Sequence, residues 1–157
     1  MTSLTSALEG VATLLPRDAP PRQVTIPDFV LGNNCNVLAP GELLRAIHLP
    51  ASALRKRFAV RQTSRTHLGR SAALIIGTVA HDGRDFRLTI TAATPRPVQI
   101  GFATIPSADE LRAAIDARIP ADGYFDDVHG SAPYKRHLTP YFAEEIRAEL
   151  ARGDRAA

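Results

Sequence analysis

The clearest pattern along the chain is a pair of apolar strands joined by a turn. Residues 71–81 are apolar on both faces, which is typical of a central buried strand. Asp82-Gly83 follows and supplies residues that tolerate the left-handed backbone of tight hairpins. From residue 86 to 92, apolar and polar side chains then alternate, as they do in a half-exposed strand. The pattern therefore predicts a β-hairpin over residues 72–93.

Two more strands are predicted before this hairpin. Residues 42–49 alternate between two faces and end at Pro50, and residues 58–63 form a second, shorter strand. Residues 1–16 carry a weaker apolar pattern, which fits either a short helix or what is left of a strand. The adjacent prolines within residues 17–22 predict a loop, because they lack amide donors and hold the backbone extended.

The last third of the chain predicts two helices. Ser107 and Glu110 have the spacing of a capping box, in which each side chain satisfies the other's backbone amide. The second helical region spans residues 132–152 and is followed by Gly153, a suitable C-terminal cap. Pro140 lies inside this region and lacks an amide donor. We therefore expect the helix to kink there or to divide in two, with Thr139 capping the second part.

Strands followed by helices predict an α+β fold. We expect an antiparallel sheet of three to four strands packed on a C-terminal helical layer. The 157 residues are 45% hydrophobic, which is enough for one globular unit with a real core. Only 6% are aromatic and none is tryptophan, so the core is expected to be aliphatic.

The charge balance argues against a dedicated nucleic-acid-binding protein. Nineteen Lys and Arg against sixteen Asp and Glu give a net charge of +3, which is only mildly basic. Five bases fall within residues 55–65, but Phe58 is the one aromatic residue among them that would stack on bases. A solvated face is the favoured interpretation. A single arginine of this run contacting a bound cofactor is a narrower alternative.

The sequence contains no autonomous active site of a common type. It has no glycine-rich phosphate loop and no nucleophile-elbow motif. Its single cysteine, Cys35, excludes an internal disulfide, fits a reducing compartment and is expected to be buried or inert. Asp126, Asp127 and His129 are conceivable metal ligands, but a solvated loop is favoured. We therefore predict no catalytic residue and no metal site.

The chain also lacks the features of a secreted or membrane protein. Its first residues carry neither the basic region nor the apolar run of a signal peptide. The longest apolar stretch, residues 72–77, is far too short to cross a bilayer. These observations predict a cytoplasmic protein without a membrane partner.

Three segments together resemble the FAD-binding subunits of molybdenum hydroxylases, the medium subunits of xanthine, aldehyde and carbon monoxide dehydrogenases. Residues 24–50 are similar to a family junction in which a Gly-Glu-apolar-apolar strand ends in proline. Residues 58–65 resemble the next family strand, in which a basic residue precedes Gln-x-Ser-Arg. Residues 127–138 resemble the C-terminal signature, a Gly-Ser followed by Tyr-Arg-Arg, with Lys135 in place of the first arginine. The segments occur in the family order.

The resemblance implies a domain layout and two cofactor-binding residues. Residues 1–39 would be the remnant of an FAD-binding domain and a linker, residues 40–152 the carbon monoxide dehydrogenase flavoprotein C-terminal-like domain, and residues 153–157 a tail. This domain closes over the isoalloxazine ring in the family. The resemblance places Leu44 at an apolar flavin contact and Arg61 near the ring, where its positive charge would favour the anionic reduced or semiquinone form of the flavin.

The resemblance also implies a function that depends on other polypeptides. The chain would be a truncated or split FAD-binding subunit that covers the flavin and supports electron transfer between iron–sulfur clusters and an acceptor. The family's glycine-rich FAD segments precede the matching region, so the chain alone is expected to bind FAD weakly or not at all. The implied partners are a molybdenum-cofactor subunit, an iron–sulfur subunit and a separate N-terminal flavoprotein half. The alternative is a non-catalytic interaction module that retains the fold but has lost FAD binding.

Overall fold

The structure, a computed structural model, describes residues 1–66 and 69–153. Most of the predicted tail, residues 154–157, therefore lies outside the described residues. Within them the helices are α1 (Thr2–Ala7), α2 (Ile26–Phe29), α3 (Ala51–Leu54), α4 (Ala108–Arg118) and α5 (Ala132–Arg152). The strands are β1 (Val11–Leu15), β2 (Arg22–Thr25), β3 (Val30–Gly32), β4 (Cys35–Asn36), β5 (Leu43–His48), β6 (Arg57–Ser64), β7 (Ser71–Val79), β8 (Arg84–Thr91) and β9 (Val98–Thr104).

Strands β6, β7, β8 and β9 form one antiparallel sheet in chain order, which we call the large sheet. The predicted hairpin is its centre: Ile75 pairs with Ile90, and Gly83 turns the chain with a φ of +80°. Helix α5 packs against β6 and β7, while α1 packs on β7 and β8 from the opposite face. The predicted α+β fold, with an antiparallel sheet backed by C-terminal helices, is confirmed.

The core between the large sheet and helices α4 and α5 is mainly aliphatic, as the composition predicts. Its fully buried side chains include Phe86, the one phenylalanine that is completely enclosed among the described residues. Other core residues from the strands and helices include Ile75, Val79, Leu88, Ile90, Ile100, Leu111, Ile115, Ile146 and Leu150. These residues share the sheet face that the two long helices cover.

Helix α5 corrects one expectation. The predicted division at Pro140 is wrong, because one continuous helix runs from Ala132 to Arg152 with the proline inside it. The hydroxyl of Thr139 donates to the carbonyl oxygen of Lys135 at 2.8 Å instead of capping a new helix. The buried face of α5 packs on the large sheet both before and after Pro140, so tertiary contacts hold the helix together. The capping box of α4 and the Gly153 cap of α5 are confirmed.

A second, smaller sheet has the strand order β2-β1-β5, and we call it the small sheet. Its core consists of Ala12, Leu14 and Ile26, with Val37 and Leu38 packed against them from beside the β3–β4 hairpin. Residues 1–16 thus contain both alternatives that the sequence left open, helix α1 and strand β1. The predicted strand at 42–49 is present as β5, but it pairs with β1 and not with the large sheet.

The fourth strand of the large sheet is β9, which the apolar pattern did not predict. Prolines at 95, 97 and 106 flank it, and Gly101 interrupts it. It pairs with β8 from Arg84–Thr104 to Ile90–Val98. None of the described helices is both long and apolar enough to cross a membrane.

Candidate functional site

The most conspicuous surface of the small sheet is strand β5, where Leu44 lies. All six of its residues are exposed, and the strand is hydrogen-bonded on one side only, to β1. Leu43 is 67% exposed, Leu44 39% and Ile47 38%. Natural proteins usually protect edge strands of this kind, because free backbone groups next to apolar side chains attract other chains. β5 is therefore a ready surface for a ligand or a partner.

The start of β5 is held by the glutamate of the Gly-Glu-apolar-apolar segment. Glu42 is buried, and Arg22 on β2 donates two hydrogen bonds to it, each 2.7 Å long. The amide of Ala39 donates a third, at 3.0 Å. The hydrogen bonds from Arg22, and then the one from Ala39, hold the pKa of Glu42 below its ordinary value. The motif glutamate thus fixes the first residue of the strand that presents Leu44.

Arg61 lies on β6, on the face of the large sheet that α5 covers. Its Nε donates to Glu145 at 3.0 Å and its Nη2 donates to Glu149 at 2.7 Å, both on α5. The hydrogen bond to Glu149 is the main cause of the raised pKa of Arg61. Because two carboxylates face one guanidinium, the net charge of this cluster is negative. Any electrostatic effect of Arg61 on a neighbouring ligand is therefore weaker than that of a free arginine.

The structure places these two sequence-predicted residues on different sheets. Leu44 is on the small sheet and Arg61 on the large sheet, and β5 and β6 are not hydrogen-bonded to each other. The connection between these strands is short, since only residues 49–56, including α3, separate them. The two positions belong to consecutive strands of the chain that lie in separate sheets.

A second exposed apolar surface lies on β6 and was not predicted. Phe58 is 68% exposed and Val60 is 39% exposed, on the face opposite to Arg61. Helix α1 covers this face over β7 and β8, where Ser3 bonds Thr91 at 2.8 Å, but it leaves β6 uncovered. The signal was present in the sequence, because Phe58 and Val60 alternate with Ala59 and Arg61. Nothing in that alternation says which face a helix covers.

The basic run at residues 55–65 does not form one patch. Lys56 is buried against Glu9 and Asp85, and Arg61 is bound by two glutamates. Arg57 donates to the carbonyl oxygen of Leu150, and Arg65 donates to that of Val128. Four of the five bases thus have separate protein partners. Arg55 and Arg65 are exposed, as the interpretation as a solvated face predicts, whereas the side chain of Lys56 is nearly buried and departs from it.

The acidic loop before α5 has a structural role. Asp127 accepts hydrogen bonds from the buried Lys135 ammonium at 3.0 Å and from the amides of His129 and Gly130. Burial raises the pKa of Asp127, but these hydrogen bonds outweigh it and leave the pKa below its ordinary value. Lys135 also lies 5.2 Å from the centre of the Phe125 ring, a cation–π distance. Residues 1–66 and 69–153 contain no group of three or more His, Cys, Asp or Glu placed to hold a metal ion.

Exposure distinguishes neighbouring residues of the C-terminal signature. Tyr134 and Arg136 are both exposed. Lys135 between them is the buried residue, since a helix points consecutive side chains in different directions. Cys35 is also exposed, on β4, so of the two alternatives, a buried or an inert thiol, the buried one is wrong and the inert one stays a prediction.

A cleft of about 790 Å³ separates the two sheets. Glu9, Thr25 and Asp28 line it from the side of the small sheet, and Arg87 and Gln99 line it from the large sheet. Neither Leu44 nor Arg61 reaches this cleft. It lies apart from the two residues that the resemblance singles out.

The sequence matches no protein-family model and no curated protein. The fold is similar to that of quinoline 2-oxidoreductase from Pseudomonas putida 86, with a TM-score of 0.70 and 18% identity over 97% of this chain and 55% of that one. It is also similar to carbon monoxide dehydrogenase from Hydrogenophaga pseudoflava, with a TM-score of 0.74 and 22% identity over 92% of this chain and 53% of that one. Reconstituted carbon monoxide dehydrogenase from Oligotropha carboxidovorans gives a TM-score of 0.70 and 19% identity over 93% and 54% of the two chains. The chain thus spans about half the length of these molybdenum-hydroxylase-type chains and shares their fold over that half.

Proposed function

We propose that the chain is the part of an FAD-binding subunit that covers the flavin ring in an oxidoreductase of the molybdenum hydroxylase type. Two independent observations support this proposal. The fold likeness to quinoline and carbon monoxide dehydrogenases extends over more than nine-tenths of the chain. The sequence resemblance to the flavin-binding subunits of the same enzymes rests on three segments in the family order.

The observation that carries the proposal is the exposed apolar strand β5. Ligand pockets for flat organic molecules are lined mainly by apolar side chains. Leu44 stands on a strand whose start is fixed by Glu42, and its own side chain is 39% exposed with no part of the described chain covering it fully. This surface suits the apolar face of an isoalloxazine ring. FAD, when bound, supplies the electron-transfer chemistry, and the chain supplies orientation and electrostatics.

The rest of the cofactor requires groups that this sequence does not contain. A pyrophosphate needs converging backbone amides or cationic side chains, and this sequence has no glycine-rich phosphate loop. The proposed partners are iron–sulfur and molybdenum-cofactor subunits, with the phosphates held by the family's N-terminal flavoprotein half. Leu44 would contact the ring. Arg61 would act near it with its charge reduced by Glu145 and Glu149.

The second candidate is the interaction module without flavin, and the geometry of Arg61 favours it. The guanidinium that the resemblance places near the ring is already bound by two carboxylates of α5. In this alternative, the apolar surface of β5 binds a protein and not a cofactor. The two candidates differ in whether the assembly that contains this chain holds FAD.

The test is the flavin content of the assembly purified through a tag on this chain from the cells that make it. Leu44→Asp should lower the affinity for FAD at least about tenfold, because a carboxylate would be desolvated against the ring. Leu31→Asp is the matched control, since Leu31 is also an exposed leucine, 51% exposed, but lies on β3. Loss of FAD in the Leu44 variant alone supports the proposal. Equal retention of FAD in both variants would contradict it, and a wild-type assembly without flavin would favour the interaction module.

A further inference from the structure

The chain crosses from one sheet to the other at two places, and these two passages lie side by side. The first passage is at residues 8–10, where α1 on the large sheet leads into β1. The second is at residues 49–56, where β5 leads through α3 into β6. Gly10 is enclosed between them: a Cβ atom there would lie 2.7 Å from the carbonyl oxygen of Thr5 and 3.2 Å from Cδ2 of Leu49. The two passages are therefore in close contact.

Lys56 stands at the end of the second passage and binds the first. Its side chain is only 7% exposed, and its Nζ lies 2.5 Å from Oε1 of Glu9 and 2.5 Å from Oδ2 of Asp85. Asp85 is on β8 of the large sheet and also accepts from Arg87 Nε at 2.9 Å. Arg87 Nε lies 3.6 Å from Glu9 Oε1, which closes the network. Two cations and two anions thus join both passages to the large sheet.

Both carboxylates come from residues with unusual backbone angles. Glu9 has a φ of +57° and Asp85 has a φ of +50°, in the left-handed region that residues with a Cβ atom seldom adopt. Such conformations persist where surrounding interactions hold them. Here each of the two residues directs its carboxylate to the same buried ammonium. The Lys56 ammonium therefore binds the carboxylates of both strained residues, Glu9 and Asp85.

Backbone contacts also join α1 to the start of the small sheet, because the amide of Gly10 donates to the carbonyl oxygen of Thr5 at 2.7 Å and the amide of Ile26 donates to that of Gly10 at 2.9 Å. Ser3 and Ser6 of α1 are hydrogen-bonded to Thr91 and Gln99 of the large sheet. These bonds hold α1 in place, but they end before Glu9, where the chain leaves for the small sheet. Glu9 and Arg87 also border the cleft between the sheets, so the ion pairs stand at the edge of that cavity.

We propose that Lys56 is a lock that fixes the small sheet on the large sheet in one orientation. Through this lock, β5 with Leu44 is held at a set position relative to β6. The lock follows from the ion pairs of Lys56 and from the path of the chain between the sheets.

The test is a distance measurement by double electron–electron resonance between two nitroxide labels. One label goes on Cys35, the single cysteine, which is exposed on β4 beside the small-sheet core. The other goes on a cysteine that replaces Ala113, an exposed residue of α4 on the large sheet. We expect one narrow distance distribution in the parent protein. Lys56→Met should widen it at least twofold, and Glu9→Gln, which keeps the lysine, should widen it less.

Lys135→Met is the matched control, because Lys135 is also buried and also paired with a carboxylate. Its partner Asp127 lies just before α5, and neither residue belongs to a passage between the sheets. This variant should therefore lower stability and leave the distance distribution narrow. Glu9→Gln carries the test if Lys56→Met does not fold. Distributions as narrow as that of the parent in the Lys56 and Glu9 variants would overturn the proposal. Equal broadening in the Lys135 variant would do the same.

Discussion

At the scale of single residues, the contact between α5 and the large sheet depends on a missing side chain. Gly77 lies in the middle of β7, and a Cβ atom added there would lie 2.2 Å from Cγ2 of Ile146 and 3.2 Å from Cδ1 of Leu150. The helix therefore approaches the sheet backbone more closely than any other residue at position 77 would permit. Ile146 is fully buried at this point.

Gly77→Ala should lower the free energy of unfolding by about 1–3 kcal/mol, because the added methyl forces α5 away from a packed core. Gly101→Ala is the control: Gly101 is on β9 of the same sheet, and a Cβ atom there meets nothing within 4 Å. The measurement is urea unfolding of both variants at equilibrium. A Gly77 variant as stable as the Gly101 variant would contradict the close approach of helix and sheet.

The buried ion pair of Lys135 was only partly predictable from the sequence. The segment from Asp127 to Leu138 was recognisable by its resemblance to the family's C-terminal signature. It was also clear that Lys135 stands where that signature has an arginine. Which of the consecutive residues Tyr134, Lys135 and Arg136 is buried depends on how the helix is rotated against the sheet. That rotation is set by Ile146 and Leu150, about three to four turns later in the helix, and no local pattern around Lys135 records it.

At the scale of elements, turns and strands that depend on neighbouring residues were predictable from the sequence. The pairing between strands that are distant in the sequence was not. Asp82-Gly83 predicts the β7–β8 hairpin because the turn residues and both strands are adjacent in the sequence. The alternation at 42–49 predicts a strand as well, but its partners on β1 run from the Leu15–Leu43 pair to the Val11–His48 pair and are distant in the sequence. β9 was not predicted because Gly101 and the surrounding prolines weaken the strand pattern.

The link between β2 and β5 makes stability depend on pH. Since the folded pKa of Glu42 is lowered by Arg22, the unfolded chain binds its proton at a higher pH than the folded chain does. This contribution to stability is complete above the ordinary carboxyl pKa of about 4.3 and is lost as the pH falls through the lowered value.

Glu42→Gln should therefore destabilise the protein at neutral pH, and the difference from the parent should shrink on acidification below about pH 4. Urea midpoints of both proteins across a pH series measure this difference. The glutamine retains the shape of the side chain, so cavity formation does not enter the comparison. A difference that stays constant from neutral to acidic pH would show that the charge of Glu42 is not involved.

At the scale of the whole molecule, the large sheet with its helices is a closed core, whereas β5 and the outer face of β6 stay open. The large apolar side chains exposed on these two strands are Leu43, Leu44, Ile47, Phe58 and Val60, and exposed apolar groups often mark interaction sites. The matched carbon monoxide dehydrogenase chains are nearly twice as long as this region. We propose that β5 and the outer face of β6 are where the chain would contact the flavin or a partner. The domain boundary at residue 39 stays a prediction.

The measurement that tests this account most directly is FAD bound per chain, determined for the tagged assembly from native cells and for the isolated chain. The account predicts stoichiometric FAD in the assembly, accompanied by a molybdenum-containing subunit, and weak or no binding of FAD by the isolated chain. An assembly that contains no flavin would contradict it. So would tight, stoichiometric FAD binding by the isolated chain.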